Sequence, residues 1–99
     1  MTRAELLDTA KKCVCGEREQ DYGTPEDNFS VIAGLWSEYL GVQLDGVDVA
    51  AMMVLLKIGR ISSSTQGGTP DTWVDIAGYA ACGGEIAFES KGGACYEAK

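Results

Sequence analysis

Apolar positions recur at helical spacing along most of the chain and divide it into four segments. The first runs from Thr2, a capping residue, to Gln20. Leu6, Leu7, Ala10, Cys13 and Val14 return every three or four residues there, the period of an amphipathic helix. The stretch "DYGTPEDN" interrupts the pattern. Within it Thr24 is an N-cap residue, Pro25 takes the first helical position, and Asp27 lies three residues after the cap. A second helix follows, with Phe29, Ile32, Ala33, Trp36 and Leu40 on one face and Gly41 as a left-handed stop. The third opens at Asp45, with Asp48 in the first turn where negative charge complements the helix dipole. Val47 to Leu56 is apolar almost all round, which predicts a central, buried helix. Its wealth of Ala, Met and Leu argues against a strand. After "SSSTQGG", the longest loop and the segment expected to be most mobile, Thr69, Pro70 and Asp71 open a fourth helix. Its start, "GTPDT", echoes the "GTPED" of the second.

Helices joined by short connections predict an all-α fold, a compact four-helix bundle. One domain is expected over residues 1–90, with 91–99 as a flexible tail. At 99 residues the chain buries only part of its surface, and oligomerisation is a usual remedy. Hydrophobic content of 45% argues against disorder.

Charge narrows the function classes. With 15 acidic and 8 basic residues the net charge is -7, and no basic stripe for duplex nucleic acid exists. The absence of His removes the commonest general base and zinc ligand. Cys13 and Cys15 are separated by a single residue, which is not a zinc spacing. No apolar run approaches the roughly 20 residues of a membrane span. Reduced thiols in a cytoplasm are the expectation, with Cys82 packed as a small core residue.

The carboxylates then ask for a role. At about 100° per residue, Asp71, Asp75, Gly78, Cys82, Glu85 and Glu89 share one stripe of the fourth helix. Trp73, Ile76, Ala80 and Ala87 lie opposite. A solvated face explains the acids, but Gly78 and Cys82 are an unusual centre for one and would let another backbone or a ligand come close. Glu17 and Asp21 continue the apolar stripe of the first helix. Either they turn inward, where a carboxylate must be paired, protonated or metal-bound, or the helix ends near Gly16 and "EREQDYG" is an exposed loop. Lys57 and Arg60 can neutralise the end of the third helix, pair with the acids, or contact a phosphate. Asn28 can satisfy a backbone group or read a base or sugar. Tyr22 and Tyr79 can stack on a ring, and otherwise are core aromatics. Trp36 and Trp73 are expected as core anchors. Glu17, Glu19, Asp21, Asp71 and Asp75 together are hard oxygen ligands suited to magnesium, with substrate phosphates completing the shell.

"DYGTPEDNF", "DVAAMMVLLKIGRI" and "DTWVDIAGYAACGGE" together resemble, along almost the whole chain, a family of small phage and prophage proteins of unknown function. A shorter pattern is similar to the nucleotide-modification-associated phage domain: DYG, a Lys followed by RI, and a later D-x-x-x-D-x-A-x-Y-A. More distantly, the arrangement is similar to the all-α NTP pyrophosphohydrolases of the MazG and dimeric dUTPase group. Those enzymes bind magnesium through E-E-x-x-E on a first helix and E-x-x-D on a later one, and form dimers or tetramers. Here "EREQD" supplies Glu17, Glu19 and Asp21, and "DTWVD" supplies Asp71 and Asp75, one residue further apart than E-x-x-D. A carboxylate spaced four apart still shares a helix face.

The resemblance implies a phage-derived, nucleotide-handling homo-oligomer in the host cytoplasm, with Mg2+-dependent NTP or dNTP pyrophosphohydrolysis as its activity. Glu17, Asp71 and Asp75 are the catalytic candidates, and Glu17, Asp21, Asp71 and Asp75 the metal ligands. Tyr22, Asn28, Lys57, Arg60 and Tyr79 are the substrate contacts. Two alternatives stand beside it. One is a binding protein that sequesters a nucleotide without cleaving it, as an anti-defence sponge does. The other is an acidic inhibitor that imitates phosphate.

Overall fold

The computed structural model describes residues 1–17, 20 and 23–89. Four α-helices make up the described chain: α1 (Arg3–Lys12), α2 (Pro25–Leu40), α3 (Gly46–Ser62) and α4 (Pro70–Glu89). No strand occurs among the described residues, and the architecture is the expected all-α bundle.

Local side-chain chemistry sets each start. Thr2 and Glu5 form a reciprocal capping box on α1. Thr24 Oγ1 accepts from the Asp27 amide at 3.3 Å, with Pro25 at the first position of α2. Asp45 and Asp48 close a second capping box on α3, at 2.9 and 3.0 Å. Thr69 Oγ1 accepts from the Thr72 amide at the head of α4. Each satisfies amides that the first turn leaves without helical partners. Gly41, at φ 72°, ends α2 in the left-handed conformation.

The first helix departs from expectation. Regular α geometry stops at Lys12, and Cys13–Glu17 forms a wider π-helical turn. Gly16 then leaves helical dihedrals at φ -115° and ψ -110°, so one continuous helix from Thr2 to Gln20 does not form. A glycine without Cβ gives the chain its cheapest exit there. Of the expected stripe Ala10 is buried and Leu6 and Val14 are half-buried, but Leu7 and Cys13 are exposed, as are Glu5, Asp8 and Lys12 on the other face. Residues 90–99, the expected tail, lie outside the described residues.

The core gathers Phe29 and Ala33 from α2, Val49 and Ala50 from α3, and Cys82 from α4, with Val14, Trp36, Met53, Tyr79 and Ile86 packed around it. Contact is most extensive between α3 and α4. Glycine permits it: a Cβ on Gly83 would lie 2.8 Å from Ala50 Cβ, closer than two methyl groups can approach. A Cβ on Gly78 would lie 3.0 Å from Val14 Cγ1. Gly78 and Cys82 therefore face in, as their place on the stripe suggested, and Gly83 beside them admits α3.

Two expectations are corrected. Trp73 is not a core anchor. It is 46% exposed, and its indole Nε1 donates to the Gly67 carbonyl at 2.8 Å. With Ser64 Oγ, which accepts from the amides of Gln66 and Gly68, it ties down the loop expected to be most mobile. Second, α3 is central but not buried all round. Val49 and Ala50 are buried, while Val47, Leu55, Leu56 and Ile58 are exposed.

Packing this close predicts opposite signs at adjacent positions. Gly83→Ala should lower stability by about 1–3 kcal/mol, because Ala50 cannot yield. Gly84→Ala, where nothing lies within 4 Å of the added methyl, should gain up to about 1 kcal/mol from helix propensity. Urea midpoints of the two variants check this. Asp45→Ala, read by the same titration, should cost about 1 kcal/mol through loss of the α3 cap.

Candidate functional site

Three elements converge on one pocket. The cap at Thr24 and Pro25 fixes the start of α2, which places Asn28 and Phe29 one turn in. The π-helical turn brings Cys13 and Val14, and α4 contributes Val74, Asp75, Gly78 and Tyr79. The pocket holds about 40 Å³. That admits a few waters or a group of similar size, not a whole nucleobase. One wall is apolar, where the Phe29 and Tyr79 rings sit 6.2 Å apart and tilted by 35°, a favourable aromatic separation. The polar wall is Asn28 and Asp75. The side-chain amide of Asn28 has no hydrogen-bond partner among the described residues.

Asp75 is the electrostatic centre of the site. Lys57 Nζ on α3 lies 2.9 Å from its Oδ2. The lysine side chain is only 17% exposed, against 43% for the aspartate. A pair with one arm this open adds at most about 1 kcal/mol to stability. Its effect is positional: the half-buried lysine fixes one carboxylate oxygen at the pocket rim.

The expected site residues are partly brought together. Asn28, Asp75 and Tyr79 share the pocket, with Lys57 directly behind. Of the three roles open to Lys57, pairing with an acid is the one seen. Asp71, on the first turn of α4, is exposed and does not line the pocket. Arg60 is exposed as well, and lines a separate hollow with Ser63, Thr69 and Thr72. The side chain of Glu17, and Glu19, Asp21 and Tyr22 entirely, lie outside the described residues. Cys13, Cys15 and Cys82 are free thiols, and Cys82 is buried as expected.

Among the described residues no group of three or more Cys, Asp or Glu side chains could hold a metal ion. Asp75 offers one hard oxygen ligand at the pocket. Magnesium is commonly held by one or two carboxylates together with phosphates and waters, so this donor fits the ion in kind. Sequence reasoning did not single out Cys13, Val14 and Val74 as part of a site. The share of Cys13 and Val14 in the pocket follows from the turn that ends at Gly16, which no hydrophobic period announces. No described helix is long and apolar enough to cross a membrane.

Comparison with known proteins adds relatives rather than chemistry. The chain is 42% identical over 77 residues to the Gene 55 protein of Mycobacterium phage D29, covering 78% of this chain and 50% of the relative. Identity to the Gene 55 protein of Mycobacterium phage L5 is 49% over 76 residues, covering 76% of this chain and 47% of the relative. The chain thus spans about half the length of the curated relatives it matches. No solved structure matches it. These relatives agree with the expected resemblance to phage proteins of unknown function; the further likeness to the nucleotide-modification domain and the MazG group is not among these findings. A family model described as "Domain of unknown function (DUF6378)" matches residues 5–87, and the chain belongs to that family.

Proposed function

We propose that the pocket between the π-helical turn, α2 and α4 binds a nucleotide or nucleotide-derived small molecule in the host cytoplasm. On this reading the activity it serves is magnesium-dependent pyrophosphohydrolysis of an NTP or dNTP. The observation that supports it is the Lys57–Asp75 pair at the rim of a pocket that also carries an unpartnered Asn28 amide. Asp75 would hold Mg2+, which when bound neutralises phosphate charge. Lys57 keeps the Asp75 carboxylate oriented. Asn28 offers both a donor and an acceptor to a base or sugar edge. Tyr79 presents ring surface beside Phe29. The pocket volume limits what enters to an edge of the ligand, so a base ring lies across the mouth. Glu17 and Asp21 complete the proposed metal set and Tyr22 the ligand contacts, while Asp71 and Arg60 stand outside the pocket lining and have no part in this reading; a homo-oligomer is the proposed assembly.

A second reading, binding without cleavage, rests on the pocket's Asn28 amide and its Phe29 and Tyr79 rings alone. Sequestration of a host nucleotide, an anti-defence role, needs no more.

Two measurements separate these readings. A panel of NTPs and dNTPs with magnesium should yield pyrophosphate, and Asp75→Asn should lower the rate at least about 100-fold, the loss of some 2.7 kcal/mol of transition-state stabilisation. Folded protein with no turnover on any substrate ends the hydrolytic reading. In the second measurement, denaturing the protein after incubation with a nucleotide pool should release intact ligand if it only binds. Asn28→Ala should then weaken binding roughly tenfold by calorimetry, the cost of one lost polar contact. An Asn28→Ala variant that binds as tightly as wild type excludes this pocket as the binding site.

A further inference from the structure

The pocket beside Asp75 has a lining more selective than nucleotide binding alone requires. Val14, Phe29, Val74 and Cys82, each buried or half-buried, surround it with apolar surface. Gly78 adds no side chain to it, and a Cβ there would stand 3.0 Å from Val14 Cγ1. Of the two polar residues, Asp75 has one carboxylate oxygen held by Lys57 at 2.9 Å. Asn28 is then the neutral hydrogen-bonding group of the lining, and its amide meets no partner among the described residues. The volume of about 40 Å³ suits roughly two or three non-hydrogen groups. The part of a ligand that enters is therefore small, mostly apolar, and carries one polar group.

Few edges of a nucleotide answer that description. Phosphate and sugar bring charge or several hydroxyls. A Watson–Crick edge sets polar atoms side by side, and apolar walls leave all but one of them without partners. The purine edge at N7 and C8 has one acceptor, but its bare C–H leaves the space beside it empty. The C5 edge of a pyrimidine has one exocyclic oxygen or amine at C4, next to a carbon that bears a methyl in thymine. We infer that the pocket selects a 5-methylpyrimidine, with the methyl against Val14, Val74 and Cys82 and the C4 substituent on Asn28. This rests on the nucleotide reading of the pocket and narrows it. The Asn28 amide can turn its nitrogen to the thymine oxygen or its oxygen to the amine of 5-methylcytosine, so the methyl is the feature selected. Uracil and cytosine lack it and leave lining atoms facing a void, which forfeits their dispersion contacts.

Calorimetry with the non-hydrolysable α,β-imido analogues of dTTP, dUTP and dATP, in magnesium, tests the preference apart from turnover. The dTTP analogue should bind about tenfold more tightly than the dUTP analogue, the discrimination one buried methyl gives in an apolar pocket. The dATP analogue should bind no better than that of dUTP. Val14→Thr keeps the side-chain size but sets a hydroxyl against the methyl. It should reduce the thymine preference below about twofold and leave the dUTP analogue within about twofold of its wild-type affinity. Equal binding of the dTTP and dUTP analogues overturns the inference and leaves the nucleotide reading standing. Failure of all three to bind ends both. A thymine preference that survives Val14→Thr puts the methyl outside this pocket and overturns the inference as well.

Discussion

The contact between Ala50 on α3 and Gly83 on α4 fixes the register on which the remaining geometry depends. A Cβ at position 83 would stand 2.8 Å from that of Ala50, so the backbones meet as closely as side-chain loss allows. From this point α3 and α4 run antiparallel. One turn back along α3 and nearly one turn on along α4, a Cβ on Gly46 would meet Ile86 at 3.5 Å. About two turns the other way, the same register lays Lys57 beside Asp75 at 2.9 Å. The ion pair is therefore a consequence of the packing rather than its cause. Its modest energy fits that order of events, because an exposed carboxylate cannot hold two helices in register.

A second close approach builds the pocket. Gly78, five residues before Gly83 on α4, admits Val14 of the π-helical turn. A regular α-helix through Cys13–Glu17 would wind its side chains differently. The wider turn brings Cys13 and Val14 over α4, where they line the pocket. The pocket lies where an irregular turn, a helix start and a glycine on a third helix meet. None of these needs hydrophobic burial to form, so polar groups are tolerated at the junction. Asn28 and Asp75 occupy it, half-exposed, whereas the buried polar residue among those described, Thr72, has its hydroxyl within 3.1 Å of Thr69.

The helices were legible wherever their limits are local. Thr24 with Pro25, Asp45 with Asp48, Thr69 with Pro70, and Gly41 each act within four residues, so a reader of the chain finds the starts of α2, α3 and α4 and the end of α2. The inward face of α4 was legible too, since small residues on a stripe mark a close approach. What failed was long-range. Trp73 carries the largest apolar surface of its helix, yet it lies opposite the stripe that α3 occupies, and the nearest partner for its indole N–H is a loop carbonyl. Gly16 could be read as a stop or as an interior residue, and the choice rests on Val14 finding Gly78. In the site, Asn28, Lys57, Asp75 and Tyr79 were found by residue type and face. Their separation from Arg60 and Asp71 was not, because helical spacing says which residues share a face but not how far along a neighbouring element reaches.

Close packing has a price in core volume. Among the described residues the buried apolar positions are mostly small, Ala10, Ala33, Ala50 and Cys82, beside the larger Phe29, Val49 and Val74. Large side chains sit at the periphery instead, as Leu7, Val31, Leu35 and Tyr39 do on α1 and α2. Burial of a Leu or Val side chain contributes about 1.5–3 kcal/mol, and an exposed one contributes little of that. A fold with this distribution draws its order from caps, from helix-to-helix approach and from a few aromatic contacts, more than from a deep interior. Elements held that way are sensitive at their glycines and tolerant at their surfaces. The same arrangement lets substitutions on the outer helix faces leave the inner register, and with it the position of Asp75 against Lys57, unchanged.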